Sequence, residues 1–293
     1  MHPLTYAAPE IARTHVDVVM SLSRLGEPRF QRPLVLANYT GIEPTLNDLN
    51  AVSDALSKVE AHVAEMPAGH PRAYLQALTR GSRTVASILA GEDRPYRDLV
   101  RNILEIEHEP IPDSETKRLR AELHEGLGTL GYDGDLETQV PAWLEATSLT
   151  GDAVIDFGRS ILDDARRDTE KRVLTLPPGE GVDSFGGVRD VHYSGRSQYT
   201  GDYRGWLHFN VDKHWQKDLF VHVLCHEAYP GHQTFYALWD WLYQQGRWPV
   251  EAAYYQLNAP TNAVFEGGPE IAMHMLGWDE GDTPEALALR TAV

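Results

Sequence analysis

The chain has 293 residues, 42% hydrophobic and 24% charged, which is ordinary for a soluble globular protein and allows a sizeable core in one large domain or two smaller ones. Its 26 basic residues stand against 43 acidic ones, and the formal net charge of −17 argues against a nucleic-acid partner, because a phosphate backbone demands a basic face. Cys225 is the only cysteine, which excludes an intrachain disulfide.

The first half of the chain has the apolar spacing of helices. Gly and Pro residues mark the ends of several of these segments, as at Gly26-Glu27-Pro28. We predict helices over residues 9–26, 46–66, 71–90, 96–106, from residue 114 onward, and over 151–173. Residues 1–175 are therefore expected to form a helical N-terminal region.

The composition changes after residue 175, where Pro and Gly residues become frequent. Segments 188–193 and 198–203 flank a Ser194-Gly195 turn, which predicts a β-hairpin. The following segment, 206–211, alternates between two kinds of side chain and predicts a strand. One face of that strand would carry Trp206, His208 and Asn210, and the other Leu207, Phe209 and Val211.

Helical spacing returns towards the end of the chain. We predict helices over residues 235–245, 250–257 and 261–276, and a further one that includes residues 285–289. The chain ends within this last pattern, so the second region, residues 176–293, is predicted with a C-terminal truncation left open.

The stretch with the clearest chemistry is His226-Glu227-Ala228-Tyr229-Pro230-Gly231-His232. Zinc peptidases commonly carry H-E-x-x-H, in which two histidines one helical turn apart bind the metal and the glutamate acts as base. Here Pro230 and Gly231 enlarge the gap, and on an unbroken helix His232 would point roughly 120° away from His226. Pro230 disfavours an unbroken helix, and Gly231 can adopt backbone angles that return His232 to the metal. We interpret the motif as a variant zinc site.

A hydrolytic zinc site needs three protein ligands, an open position for water and a carboxylate that accepts the proton of that water. His226 and His232 are the predicted imidazole ligands, and Glu227 is the predicted base. Glu266 or Glu270, one turn apart on a later helix, would supply the third ligand, and spacing alone does not choose between them. Glu270 could instead hold the free nitrogen of a ligand histidine.

Other interpretations of these residues remain. His222 lies one turn before His226 and could form a rival His-x-x-x-His pair, although a buried, hydrogen-bonded histidine is the favoured interpretation. Cys225 is expected to pack in the core. His226 and His232 could also be ordinary histidines at a helix end that Pro and Gly terminate.

The motif, followed by Gln233, resembles that of the bacterial "domain of unknown function 885" family, which is allied to the gluzincins and similar in fold to thermostable zinc carboxypeptidases. The resemblance covers about residues 185–280 and includes Phe265-Glu266-Gly267-Gly268-Pro269-Glu270. It implies a mainly α fold with a small β-sheet beside the active-site helix, and Glu266 as third ligand. It also implies that an edge strand, for which segment 206–211 is the candidate, pairs with the substrate.

These observations predict a zinc-dependent hydrolase, a metallopeptidase acting on short peptides or small amides, with residues 176–293 as its zinc-binding catalytic region. Zn²⁺ is the expected cofactor because two histidines and a glutamate are ligands that it prefers. Exopeptidase action is implied by the resemblance alone. The side chains expected to contact substrate are Trp206, His208, Asn210, Tyr255 and His274.

Two alternatives differ in the role of the metal. In the first, zinc is structural and the chain is a binding or scaffolding module; in the second, the chain is a helical module without metal. The N-terminus lacks a basic segment followed by an apolar one, and there is no uncharged run of about 18 apolar residues, so we expect a cytoplasmic protein without a membrane partner. The oligomeric state is not predicted.

Overall fold

Helices account for 58% of the computed structural model, which describes residues 4–281 and 283–293. The helices are α1 (Pro9–Phe30), α2 (Leu49–Glu65), α3 (His70–Leu89), α4 (Tyr96–Leu104), α5 (Asp113–Thr129), α6 (Leu136–Thr147), α7 (Asp152–Arg172), α8 (Lys217–Glu227), α9 (His232–Gln244), α10 (Thr261–Glu270), α11 (Ala272–Leu276) and α12 (Pro284–Ala292). The strands are β1 (Val35–Asn38), β2 (Ser148–Leu149), β3 (Gly181–Val188), β4 (Gly195–Gly201), β5 (Arg204–Asn210), β6 (Trp215–Gln216) and β7 (Tyr254–Gln256). The predicted mainly helical fold with small sheets is confirmed.

The three-stranded sheet has the order β3-β5-β4, with β3 parallel and β4 antiparallel to β5. The hairpin is therefore β4–β5, and the predicted pairing of segments 188–193 and 198–203 is wrong. Its two-residue turn consists of Asp202 and Tyr203, which both have positive φ angles, 51° and 64°. Such turns are usually marked by Asn-Gly or Asp-Gly, and the tyrosine conceals this one in the sequence.

The central strand of this sheet is β5, and β4 is one of its two edge strands. The prediction that segment 206–211 forms an edge strand is therefore wrong, because both edges of β5 are already hydrogen-bonded. On one face of this central strand, Leu207 and Phe209 are fully buried. The ring of Phe209 lies 5.0 Å from that of Phe220 on α8, so the sheet packs its apolar face on that helix.

The contacts divide the chain into two compact units. One comprises Glu109–Ala237 and Glu266–Val293, and it contains the three-stranded sheet with α7, α8, α11 and α12. Its core includes Val154, Leu207, Phe209, Phe220, Leu224 and Leu276. The predicted boundary near residue 175 does not coincide with this division, and the predicted domain bounds stay a prediction.

The other unit comprises the described residues up to His108 together with Leu238–Phe265. Helices α1, α2 and α3 pack around Val18, Leu22, Val52, Leu56 and Val85. Strand β1 pairs antiparallel with β7. The predicted helix 250–257 is wrong: residues Val250–Ala252 form a single 3-10 turn before β7. The partner strand is distant in sequence, and local spacing cannot anticipate such pairing.

Three further differences concern the helices. The first helix continues through Pro28 to Phe30, although proline has no N–H to donate within a helix. The predicted helix 261–276 is divided at Ile271 into α10 and α11. Helix α6 was not predicted; Asp135 caps its N-terminus by accepting a hydrogen bond from Thr138 N. In the described parts of the chain, no helix is long and apolar enough to span a bilayer.

The unit that contains α1 has a fully buried histidine, His15, whose Nε2 lies 2.9 Å from the hydroxyl of Tyr254. Burial lowers the pKa of His15 from its usual 6.5 to about 4. Below pH 6.5 the unfolded chain therefore binds a proton that the folded chain excludes, and this contribution to stability is lost as the pH falls towards 4. The difference between pH 7 and pH 5 amounts to about 2 kcal/mol of unfolding free energy.

We expect His15→Gln to flatten this pH dependence, because it keeps a hydrogen-bonding group without a titrating one. Denaturant unfolding at pH 7 and pH 5 would measure it, with the exposed His108 changed to Gln as matched control. An unchanged slope in His15→Gln would show that another group carries the acid sensitivity.

Candidate metal centre

Helix α8 carries the first part of the motif and ends at Glu227. A short connection follows, and α9 begins at His232. The N–H of Gly231 donates to the carbonyl of Cys225 at 3.1 Å, and the Tyr229–Pro230 peptide bond is cis. The break that the sequence predicts at Pro230 and Gly231 is therefore present.

The connection brings the two predicted imidazole ligands together. The rings of His226 and His232 have centroids 4.6 Å apart. The Nε2 atoms of both histidines lie 3.5 Å from the same oxygen, Oε2 of Glu266. Ligand atoms about 2.0–2.1 Å from a tetrahedral zinc lie about 3.3–3.4 Å from one another, so this spacing fits a metal held by all three.

The surroundings also suit a metal. The side chains of His226 and His232 are 14% and 11% exposed, and that of Glu266 is 42% exposed, so the histidines are held inside while the carboxylate side meets solvent. Two imidazoles and one carboxylate form a donor set that zinc accepts readily. The three ligand atoms all lie within 4.8 Å of one another.

The structure distinguishes between Glu266 and Glu270, the two glutamates that the sequence offered as third ligand. Oε1 of Glu270 lies 3.3 Å from Nδ1 of His226, on the other side of the ring from Glu266. Oε2 of Glu270 lies 3.2 Å from Nε2 of His222. Glu266 is the one of the two that also reaches His232, which favours it as the third ligand. Glu270 lies where it would orient the imidazole of His226, the role that the sequence suggests.

Carboxylates also influence the pKa of His226. Burial, the largest single influence, lowers the pKa of His226, but the hydrogen bond to Glu266 and the negative charges of Glu227, Glu270 and Glu266 outweigh it and raise the pKa overall. For His222 burial prevails and lowers the pKa, despite the neighbouring charge of Glu270.

The predicted base, Glu227, is held from the edge of the sheet. The backbone N–H of Ser197 on β4 donates to its Oε2 at 2.8 Å. Burial raises the pKa of Glu227, while the positive charges of His232 and His226 oppose that rise. A buried carboxylate of raised pKa is a better proton acceptor than one exposed to water. Ser197 was not identified in the sequence, where nothing distinguishes it.

The buried carboxylate of Glu180 stabilises the connection between α8 and α9. The side chain of Glu180 is fully buried and accepts hydrogen bonds from the hydroxyl of Tyr229 at 2.7 Å and from Nε2 of Gln233 at 3.0 Å. Arg166 forms an ion pair with it at 3.3 Å. Since Tyr229 and Gln233 flank Pro230–His232, Glu180 holds both ends of the segment that returns His232. No sequence signal marks Glu180 or Arg166 for this role.

Of the two glycines next to Glu266, one is required by packing. A Cβ atom on Gly268 would lie 2.7 Å from the ring of Phe235 on α9, whereas one on Gly267 would meet no atom within 4 Å. Of these two glycines, only Gly268 therefore lies where a side chain would collide with α9.

The predicted substrate contacts on β5 lie on the far side of the sheet. The rings of Trp206 and His208 are 4.2 Å apart, on the face opposite Leu207 and Phe209, which pack towards α8. Asn210 is buried, and its Nδ2 donates to the carbonyl of Val191. These side chains therefore do not line the face of the sheet that packs on α8.

The remaining predicted residues lie outside both histidine–glutamate groups. Tyr255 is buried in the other contact unit, where its hydroxyl donates to Oδ1 of Asn262 at 2.6 Å. The side chain of His274 is 66% exposed and lies 3.4 Å from Asp279. Their contacts give no support to a role in substrate binding, which stays a prediction. Cys225 is fully buried in the core, as expected, and burial raises the pKa of its thiol.

No family model, curated protein or solved structure matches this chain. The resemblance to the zinc peptidase family therefore rests on the motif residues, and function has to be inferred from the geometry of the centre.

The substitution Gly231→Ala would test whether the connection between α8 and α9 positions His232. A Cβ atom at this residue would lie 1.8 Å from the carbonyl oxygen of His226, so Gly231→Ala must displace backbone next to both histidines. We expect zinc affinity to fall by about 10–100-fold or more, the cost of disturbing the support of a ligand. Competition with a chromophoric chelator would measure it, with Gly267→Ala as control, since that position has open space. Equal affinities would contradict the prediction.

The substitution Glu180→Ala would test whether the hydrogen bonds of Glu180 hold the connection between α8 and α9. Glu180→Ala leaves the buried hydroxyl of Tyr229 without its acceptor, which costs about 1–3 kcal/mol of unfolding free energy. It should also weaken zinc binding by about 10–100-fold. The control is Glu170→Ala, which removes the other partner of Arg166 but touches neither end of the connection. Lost stability with unchanged zinc affinity would mean that Glu180 contributes only to packing.

Proposed function

We propose that this protein is a zinc-dependent hydrolase whose metal ligands are His226, His232 and Glu266. The observation that carries the proposal is the convergence of three donor atoms at the spacing of a tetrahedral site, with Glu227 next to the first ligand. Within the described chain the group has three members, and three protein ligands are typical of catalytic zinc, which keeps one position open for water.

Zinc bound at these residues would lower the pKa of its water to about 7 and polarise a substrate carbonyl. Glu227 accepts the proton of the attacking water and passes it to the leaving amine. The N–H of Ser197 orients the carboxylate of Glu227 through its Oε2. Glu270, which faces Nδ1 of His226, keeps Nε2 of that ring directed towards Glu266 and His232.

The substrate class proposed is a short peptide or small amide, and this part rests on the motif resemblance. The competing interpretation, a structural zinc in a binding or scaffolding module, requires a closed shell with a fourth protein ligand. Neither histidine–glutamate group contains a fourth described residue, which favours hydrolysis.

Glu227→Gln separates metal binding from turnover. The substitution keeps the shape of the side chain and its acceptor for Ser197, so zinc content should equal that of the wild type. Loss of the proton acceptor should lower kcat by about 10²–10⁴-fold. Hydrolysis of a panel of short fluorogenic peptides and elemental analysis of the same preparations would measure both quantities.

The matched control is Glu125→Gln, a change in a second His-Glu pair whose glutamate is exposed. Its turnover should be that of the wild type. Wild-type turnover in Glu227→Gln would refute the base assignment. Full zinc occupancy without hydrolysis of any peptide by the wild type would favour the scaffolding interpretation.

A further inference from the structure

A second group of metal-ligating side chains lies next to the first. It consists of His222, His226 and Glu270, whose ligand atoms are also within 4.8 Å of one another. The two groups share only His226, and each combines two imidazoles with one carboxylate. The donor chemistry of the second group is therefore that of the first.

The second group also brings two imidazoles and one carboxylate together. Oε2 of Glu270 lies 3.2 Å from Nε2 of His222, and Oε1 of the same carboxylate lies 3.3 Å from Nδ1 of His226. The carboxylate thus faces both imidazoles, and one ligand atom from each of the three residues lies within 4.8 Å of the other two. His222 and His226 lie one turn apart on α8, so they share a face of the helix.

The side chain of His222 is buried with its ring facing the carboxylate of Glu270. The residue is 7% exposed, and its Nδ1 has no hydrogen-bonding partner among the described residues. Its Nε2 faces Glu270. The ring is therefore held inside the protein with one nitrogen directed at the carboxylate that also faces His226.

Because both groups include His226, a metal in one group would exclude a metal from the other. A neutral imidazole has one nitrogen with a lone pair, while the other carries hydrogen. His226 faces the first group through Nε2 and the second through Nδ1. It can therefore complete only one three-ligand set at a time.

We propose that His222, His226 and Glu270 form a second position for zinc or a similar transition-metal cation, which competes with the first position for His226. The proposal rests on the proposed function only in taking the first position as a metal site. The first position is the stronger, since its carboxylate is the less exposed of the two, 42% against 57% for Glu270. Excess zinc at the second position withdraws His226 from the first and inhibits hydrolysis.

Variants separate the two positions. His232→Gln and Glu266→Gln each remove a ligand from the first position only, whereas His222→Gln removes one from the second and keeps an amide that can donate to Glu270. Cobalt(II) serves as probe, because its visible absorption reports ligand number and geometry, and elemental analysis gives the stoichiometry. Circular dichroism checks that each variant is folded.

We expect the wild type and His222→Gln each to bind one cobalt tightly. His232→Gln and Glu266→Gln should bind one cobalt more weakly, with a changed absorption spectrum. Addition of His222→Gln to either of them should lower this residual affinity by about a further 10-fold or more, since a ligand is lost. In zinc inhibition of hydrolysis, the half-inhibiting concentration should rise by about 10-fold or more in His222→Gln, each protein being compared with its own activity in limiting zinc.

Two results would overturn the proposal. If folded His232→Gln and Glu266→Gln bind no cobalt, the second position does not exist. If adding His222→Gln to these variants leaves their residual cobalt affinity unchanged, His222 and Glu270 form a hydrogen-bonded bridge only. Failure of the proposed function looks different: a wild type that binds cobalt but hydrolyses no peptide leaves the competition between the two positions measurable.

Discussion

The break in the helix between Glu227 and His232 is the constraint on which the candidate centre depends. A continuous helix would direct His232 roughly 120° away from His226. The N–H of Gly231 instead donates to the carbonyl of Cys225, and the backbone of Gly231 lies so close to the carbonyl of His226 that no side chain would fit. Glu180 holds both flanks of the segment from a fully buried position. An insertion that would dismantle an ordinary H-E-x-x-H site thus becomes compatible with metal binding.

The second organising feature is the distribution of carboxylates around one imidazole. Glu266 faces Nε2 of His226, and Glu270 faces Nδ1. Each carboxylate also meets another histidine: Glu266 meets His232, and Glu270 meets His222. This arrangement underlies both proposals, because the side of His226 that holds a metal determines whether the other carboxylate orients the ring or competes for it.

The three-stranded sheet contacts the candidate centre through its edge strand β4 and not through its central strand β5. Ser197 on β4 contacts Glu227 by its backbone N–H, which any residue but proline could supply. Sequence patterns therefore point to the neighbouring β5, whose alternation is strong because Leu207 and Phe209 are buried against α8. The same burial puts Trp206 and His208 on the opposite face. The alternating pattern thus identified a strand correctly, whereas the edge position that the family resemblance implied for it is wrong.

The sequence by itself determined the elements that local chemistry specifies: the mainly helical fold, the break at Pro230 and Gly231, and the set of His226, Glu227, His232 and the two later glutamates as residues that belong together. These follow from spacing, from the missing N–H of proline and from the few ligands that zinc accepts. Tertiary structure decided the strand order, the pairing of β1 with β7, the roles open to Glu266 and Glu270, and the support by Glu180 and Ser197. Each of these depends on contacts between residues distant in sequence, which no local pattern encodes.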